Sequence, residues 1–175
     1  MTVLNPVFFD RPADQVAHDL IGCRLNWTRG EDSHSHMITE TEAYIGPHDL
    51  ASHAARGRTK RTEVMFGEPE ALYFYFVYGM HWMLNVVTGP VGYPATVLIR
   101  AVQDINGPAR LTKAMALTGL LNGKQADEEN GVWFTDGTRP PRTKVLRSAR
   151  IGVDYAGPVW SLKPLRFSLP PPKVS

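Results

Sequence analysis

The first part of the chain combines one helical pattern with two strand patterns. A short helix is predicted between Asp10, which can cap it, and Gly22, which can end it. The apolar positions between these two residues have helical spacing: Val16, Ala17, Leu20 and Ile21. From residue 23 the period becomes that of a strand, so residues 23–28 and 36–44 predict two strands joined by a turn at 29–32.

Strand patterns also dominate the middle of the chain. Residues 71–77 and 81–88 are rich in aromatic and β-branched residues and flank Tyr78-Gly79-Met80, which predicts a tight aromatic hairpin. The remaining predicted elements are a strand at 95–102, a helix at 108–117, an exposed loop at 126–130 and a strand at 144–153. We therefore expect an α+β fold with a curved antiparallel sheet, short flanking helices and a protruding aromatic β-hairpin.

Length and composition predict one domain. The 175 residues, 43% of them hydrophobic, suit a single core over 1–175, with a flexible Pro-rich tail at 168–175. The net charge is only +2, but residues 137–175 carry eight Lys or Arg and one acid, so the last part of the chain is basic. The single cysteine, Cys23, excludes an intramolecular disulfide and fits a reducing compartment. Without a leader or a long apolar run, we expect a cytoplasmic protein if its source is bacterial; a nuclear location stays open.

Alternation along the second predicted strand places Glu40, Glu42 and Tyr44 on one face. Residues two apart on a strand are separated by about 6.6 Å, close to the spacing of the paired carboxylates of sugar hydrolases. A solvated, charged strand face would give the same pattern. Both interpretations stay open on these residues alone.

Aromatic residues give the next hint of chemistry. Tyr73 and Tyr75 share a strand face, which is either core or a platform for a flat ring, while Tyr78 falls at the turn, where an aromatic ring has little core to enter. Proteins that open duplex DNA insert such side chains into the base stack.

Several enzyme classes have no counterpart in this sequence. Its six histidines lack a metal-binding spacing, and no nucleophile-elbow, phosphate-loop or dinucleotide glycine motif occurs. Instead, residues 56–62 hold four cations close to the predicted aromatic hairpin, a combination that suits phosphates and bases. The four are Arg56, Arg58, Lys60 and Arg61.

Several blocks together resemble the alkyladenine (3-methyladenine) DNA glycosylases. They run in family order across nearly the whole chain: Phe8-Phe9-Asp10-Arg11-Pro12, Thr39-Glu40-Thr41-Glu42-Ala43-Tyr44-Ile45-Gly46-Pro47-His48-Asp49, Ala51-Ser52-His53, Tyr73-Phe74-Tyr75-Phe76-Val77-Tyr78-Gly79-Met80, Leu84-Asn85-Val86, Val97-Leu98-Ile99-Arg100-Ala101, Gly107-Pro108-Ala109-Arg110-Leu111, Arg150-Ile151-Gly152 and Leu165-Arg166-Phe167.

The resemblance implies a monofunctional glycosylase that flips a damaged purine out of duplex DNA and hydrolyses its N-glycosidic bond. It implies catalytic roles for Glu42 and Arg100 and an intercalating role for Tyr78. The implied base-binding residues are Tyr44, His53, Tyr75 and Asn85. We expect Arg56, Arg58, Lys60, Arg61 and Lys144 to contact the DNA backbone. The expected partner is double-stranded DNA, bound by a monomer that needs no metal or organic cofactor and no membrane.

Three positions depart from the family pattern. The basic loop reads Arg58-Thr59-Lys60-Arg61-Thr62 where the family usually has Arg-Thr-Pro-Arg-Asn, and Glu70 stands where glycine is common. Only residues 102–106 connect two blocks that the family joins by a longer segment, which removes possible DNA contacts. A non-catalytic nucleic-acid-binding module on the same fold is therefore the alternative. A small-molecule glycoside or nucleoside hydrolase that uses Glu40 and Glu42 is a third.

Overall fold

The computed structural model describes residues 1–173, and one antiparallel sheet dominates it. The main strand order is β3-β4-β5-β2-β1-β7, with β6 beside β5, and β9 paired with both β2 and β8. The strands are β1 (Arg24–Arg29), β2 (Asp32–Tyr44), β3 (Leu72–Val77), β4 (His81–Thr88), β5 (Ala95–Val102), β6 (Ile105–Asn106), β7 (Val132–Thr135), β8 (Leu146–Ser148) and β9 (Arg166–Ser168). The α+β class expected from the sequence is confirmed.

The helices are short and flank the sheet. They are α1 (Pro6–Phe9), α2 (Ala13–Asp19), α3 (Pro108–Ala114) and α4 (Gly157–Trp160). The helix expected after Asp10 is α2, but Asp10 does not cap it: Asp10 closes α1, and Pro12 precedes α2. The side-chain cap belongs to Asn5, whose oxygen accepts from the amides of Val7 and Phe8.

Strand β2 connects the two halves of the sheet. Its first part pairs with β1 and its second part pairs with β5 and β9, so the catalytic candidates on β2 have a strand on either side. The Thr41 hydroxyl donates to the carbonyl of Ala17 at 2.8 Å, which fixes α2 on the face of β2 opposite Glu40 and Glu42. The face under α2 is the main core, where Phe9, Leu20 and Ile38 are completely buried.

The aromatic hairpin is formed by β3 and β4, as predicted. Leu72 and Phe74 enter the main core, while Tyr73 and Tyr75 face the other way. Alternation places Phe76 on the same face as Leu72 and Phe74, but Phe76 is 43% exposed and packs on Trp82, with ring centroids 4.7 Å apart. The hairpin therefore extends beyond the core at its turn.

Some predicted elements differ from the observed ones. β2 begins at Asp32, earlier than expected, and the strand expected at 144–153 is only the three residues of β8. The loop at 126–130 is exposed at Glu128 and Glu129, but Ala126 is buried in the core. β7 and β9 had not been predicted, since each is too short to show a clear alternation.

The chain packs further toward its end than expected. Ser168 belongs to β9, and the Leu169 amide donates to the carbonyl of Thr39 at 3.0 Å. The predicted flexible tail at 168–175 thus begins with two residues held by the sheet, and residues 174–175 lie outside the described part. Within residues 1–173, no helix has the length and apolarity needed to cross a membrane.

Candidate active site

Glu42 lies on β2 with its side chain completely buried. Its Oε1 accepts a hydrogen bond from the Tyr44 hydroxyl at 2.9 Å, and its Oε2 accepts from the backbone amide of Ile151 at 2.7 Å. Arg100 on β5 places its Nη1 at 3.6 Å from Oε1. Both carboxylate oxygens are therefore held in fixed positions by groups that donate hydrogen bonds or carry positive charge.

Burial raises the pKa of the Glu42 carboxyl, because the charged form loses water. The positive charge of Arg100, the Ile151 amide and the Tyr44 hydroxyl all act in the opposite direction. A carboxylate with a raised pKa is a stronger base, and the surrounding donors fix its orientation, so Glu42 is suited to take a proton from water.

Glu40 lies on the same face but in a different environment. Its Oε1 accepts from Arg100 Nε at 3.0 Å and from Arg166 Nη1 at 3.1 Å. Its carboxylate is thus engaged by two guanidinium groups, and Glu40 does not line the cleft above Glu42. The geometry therefore disfavours a sugar-hydrolase pair made of Glu40 and Glu42.

A cleft of about 540 Å³ opens above Glu42. Its walls bring together most of the residues expected to act, namely Glu42, Tyr44, His53, Arg61, Tyr75, Tyr78 and Arg100. Tyr44 and Tyr75 also border a small pocket of about 30 Å³ that Asn85 helps to line. The sequence positions predicted for catalysis and base binding thus meet at one place.

His53 and two tyrosines form one wall. The His53 ring meets Tyr75 edge-on, with centroids 4.6 Å apart, and its Nδ1 lies 3.1 Å from the Tyr73 hydroxyl. Burial, together with the charges of Arg61 and Arg56, lowers the pKa of His53 to about 4. His53 is therefore neutral near pH 7 and adds no positive charge to the wall.

Asn85 is buried on β4 behind this wall. Its side-chain amide donates to the carbonyl oxygens of Tyr73 at 3.3 Å and Met83 at 3.4 Å. Both donor hydrogens are thus directed at the backbone, which fixes the side chain in one position at the pocket. A fixed amide group is suited to limit which ring substituents fit beside it.

Tyr44 rests on a buried ion pair that the sequence reasoning missed as a functional feature. Arg150 lies with its guanidinium carbon 4.9 Å from the Tyr44 ring centroid and pairs with Asp49 through two contacts, at 2.6 and 2.9 Å. Both charged side chains are fully buried. Arg150 and Asp49 are 101 positions apart, so no local pattern could pair them. The only sequence signal was that both residues belong to the blocks that carry the family resemblance.

Ile151 and Tyr155 were also missed. Ile151 contributes its backbone amide to Glu42, a role that no side-chain pattern can show. The Tyr155 hydroxyl donates to the carbonyl of Ala51 at 2.6 Å, and its ring lines both the cleft and the small pocket. These contacts make the segment after β8 a part of the site.

Tyr78 occupies the hairpin turn, where 88% of its side chain is exposed. Its φ of 54° is in the left-handed region, and the neighbouring Gly79 has a φ of 66°. A non-glycine residue in this conformation is strained, and such strain is common at functional positions. The ring projects at the mouth of the cleft.

The basic loop adjoins the cleft, whereas Lys144 does not. Arg61 lies with its guanidinium carbon 5.8 Å from the Tyr75 ring centroid, and Arg56 and Lys60 are exposed. Arg58 pairs with Glu63 at 3.1 Å on the surface. Lys144 is exposed and follows Arg142, which binds Asp19 at the end of α2, on the opposite face of the sheet.

The basic loop, which lacks the family's usual proline, is held by hydrogen bonds of the Thr62 side chain. The Thr62 hydroxyl accepts from the Thr59 amide at 2.8 Å and donates to the carbonyl of Gly57 at 2.9 Å.

Among residues 1–173, no group of three or more His, Cys, Asp or Glu side chains is arranged to hold a metal ion.

A family model described as methylpurine-DNA glycosylase matches residues 7–105 and 102–172. The two matched segments overlap at the shortened connection, which the structure forms as the tight β5–β6 turn.

Several curated proteins match nearly the whole chain, and all three described here are provisionally named 3-methyladenine DNA glycosylase. The protein from Myxococcus xanthus is 44% identical over 176 residues, which cover 95% of this chain and 90% of the relative. The protein from Methanocella arvoryzae is 41% identical over 95% of this chain and 92% of its own length. The protein from Legionella pneumophila (strain Corby) is 38% identical over 95% of this chain and 94% of its own length. The chain therefore belongs to the methylpurine-DNA glycosylase family, whose members are DNA-repair hydrolases that act on N-glycosyl bonds.

Proposed function

We propose that this protein removes alkylated purines of the 3-methyladenine type from duplex DNA, with Glu42 as the general base. The observation that carries the proposal is the Glu42 carboxylate, completely buried at a cleft whose walls are aromatic and whose rim is basic. Glu42 is the carboxylate that lines the cleft, whereas Glu40 lies outside its lining and is bound by two arginines.

The chemical step needs little more than a positioned water. Alkylation at N3 or N7 gives the purine a positive charge, which makes it a good leaving group. As the C1′–N bond breaks, its electron pair passes to the purine and neutralises that charge. Water forms the new bond to C1′, and its proton passes to Glu42. The products are a free neutral base and an abasic deoxyribose.

Selection for damaged bases follows from charge in the same way. Tyr44 and Tyr75 offer ring faces to a cationic purine, and a cation–π contact contributes about 0.5–2 kcal/mol that a neutral adenine lacks. The lowered pKa of His53 keeps a competing positive charge away from the base. Asn85, fixed by its two backbone contacts, would exclude purines with an additional amino group.

A base reaches this cleft only when it leaves the helix. Tyr78, exposed at the hairpin turn, fills the gap in the stack, and the exposed cations Arg56, Arg58, Lys60 and Arg61 neutralise phosphates. Lys144, on the far side of the sheet, would need DNA that reaches around the protein. We expect a monomer to act, wherever the cell keeps its DNA.

One incubation tests the proposed reaction. Duplex DNA methylated with dimethyl sulfate is mixed with the protein, and released bases are separated by chromatography. We expect free 3-methyladenine, with no loss on adding a chelator and no adduct trapped by borohydride, because neither a metal-ligand set nor a lysine nucleophile lies at the site. Binding without release would favour the non-catalytic module, and a trapped adduct would show a lyase.

A further inference from the structure

We propose that Glu40 is a positioning residue that anchors two of the three groups holding the Glu42 carboxylate, the Arg100 guanidinium and the Ile151 amide. The inference rests on the proposed function, because it takes Glu42 as the general base. The family resemblance gave Glu40 no role, and the structure places its carboxylate beside two arginines that reach the site by separate routes.

The first route runs through Arg100. Register shifts in the β2–β5 pairing place Glu40 opposite Ala101 and Thr41 opposite Ile99, so Arg100 has no partner on β2. Its side chain lies between the two glutamates, with Nε 3.0 Å from Glu40 and Nη1 3.6 Å from Glu42. Because the Glu40 contact is the shorter one, Glu40 fixes the guanidinium that stabilises the charge of Glu42.

The second route runs through Arg166 and the backbone after β8. Arg166 Nη1 donates to the same Glu40 oxygen at 3.1 Å, and its Nε donates to the carbonyl of Ala149 at 3.1 Å. Two residues further on, Ile151 donates its amide to Glu42 Oε2 at 2.7 Å. One carboxylate therefore supports both the guanidinium beside Oε1 and the amide that donates to Oε2 of the general base.

The charge of Glu40 and its role as a hydrogen-bond acceptor shift the pKa of Glu42 in opposite directions. A second negative charge nearby raises the pKa of Glu42, whereas holding Arg100 in place lowers it. Glu40→Gln removes the charge but keeps an oxygen that can accept from Arg100. Glu40→Met introduces a side chain of similar length that has neither the charge nor the accepting oxygen.

The experiment compares these two variants in the pH dependence of single-turnover base release, with Glu31→Met, an exposed carboxylate at the β1–β2 turn, as the matched control. We expect Glu40→Met to lose roughly 10–100-fold in rate at pH 7, since a displaced general base costs about that much. The acid limb of its profile should move to higher pH. For Glu40→Gln we expect a loss of only a few-fold and an acid limb that is unchanged or lower.

Other outcomes would overturn the inference. Equal downward shifts of the acid limb in both variants would mean that Glu40 acts only as a charge. A lower melting temperature in Glu40→Met, with wild-type rate and profile in the folded fraction, would make it a structural residue only. Should Glu40→Met not fold, Arg166→Met breaks the second route alone and is expected to lower the rate with the same direction of shift.

A measurement without substrate separates this inference from the proposed function. Carbon-13 NMR of the Glu42 carboxyl gives its pKa in the free protein, and we expect a higher value in Glu40→Met than in the wild type. A wild-type protein that releases no base would refute the proposed reaction, yet this titration would still test the anchoring.

Discussion

Glu70 stands at a position where glycine would fit the backbone better. Its φ is 77°, its amide and carbonyl are both engaged in backbone hydrogen bonds, and its side chain is only 7% exposed. Burial, with a smaller effect of Asp127, raises the pKa of its carboxyl to about 7. The departure from the family's glycine therefore costs stability in two ways, through strain and through a buried charge.

The stabilities of two Glu70 variants should separate these costs. A pKa raised in the folded state means that the stability contributed by the carboxyl is present below pH 4.5 and is lost as the pH rises through about 7. Glu70→Gln should therefore become more stable than the wild type as the pH rises from 4.5 to about 7. Above that pH the difference in the free energy of unfolding should reach roughly 3 kcal/mol. Glu70→Gly also removes the carboxyl, so it should show the same pH-dependent gain and, in addition, about 1 kcal/mol at every pH from relieved strain. Parallel urea-denaturation results for Glu70→Gln and the wild type from pH 4.5 to 8 would contradict the charge cost.

Tyr78 presents the opposite case, an exposed and strained ring that the fold does not need. Tyr78→Ala should change the free energy of unfolding by less than about 0.5 kcal/mol, as for other exposed positions. Excision from duplex DNA should fall, together with the fluorescence rise of 2-aminopurine beside the lesion. Less should be lost when the lesion is already mispaired, because flipping then costs less.

The matched control for Tyr78 is Leu120→Ala, which removes another exposed apolar residue, 86% exposed, from the short 3-10 helix Gly119–Leu121, which does not line the cleft. It should leave excision and fluorescence unchanged. If Tyr78→Ala instead destabilises the protein by several kcal/mol and flips bases normally, the ring belongs to the core.

At the scale of elements, the basic loop is expected to dominate the electrostatic part of DNA binding. Each neutralised phosphate contributes about −0.9 to the slope of log K against log salt. The double variant Arg58→Glu/Arg61→Glu should flatten this slope, since the surface pair between Arg58 and Glu63 is weak enough to open on binding. Arg29→Glu, at the end of β1, makes the same kind of change far from the cleft and should leave the slope unaltered. An unchanged slope in the double variant would place the loop off the DNA.

Local patterns predicted those elements whose residues are close in sequence. Alternation placed Glu40, Glu42 and Tyr44 on one face of β2, and the turn residues Tyr78 and Gly79 predicted the β3–β4 hairpin. The register shifts opposite Arg100 had no such signal, because a bulge depends on both strands. The three-residue strands β8 and β9 are likewise defined only by their partners.

At the scale of the whole molecule, three of the eight cations in the basic C-terminal segment pair with acidic side chains of the protein itself. Arg150 pairs with Asp49, Arg166 with Glu40 and Arg142 with Asp19. The charge count along the sequence could not show these partners, which lie more than 100 positions away. The site is completed in the same way, since Ile151 reaches Glu42 across 109 positions. The resemblance located the candidate site residues, and the tertiary structure supplied what holds them.

The central claim is that the Glu42 carboxylate removes the proton of the attacking water. Its most direct test compares the wild type and Glu42→Gln for lesion-DNA affinity and for single-turnover release of methylated base from the same duplex. The amide matches the carboxyl in size but cannot accept that proton. We expect affinity within a few-fold of the wild type and no detectable base release. Release at the wild-type rate by folded Glu42→Gln would contradict the account.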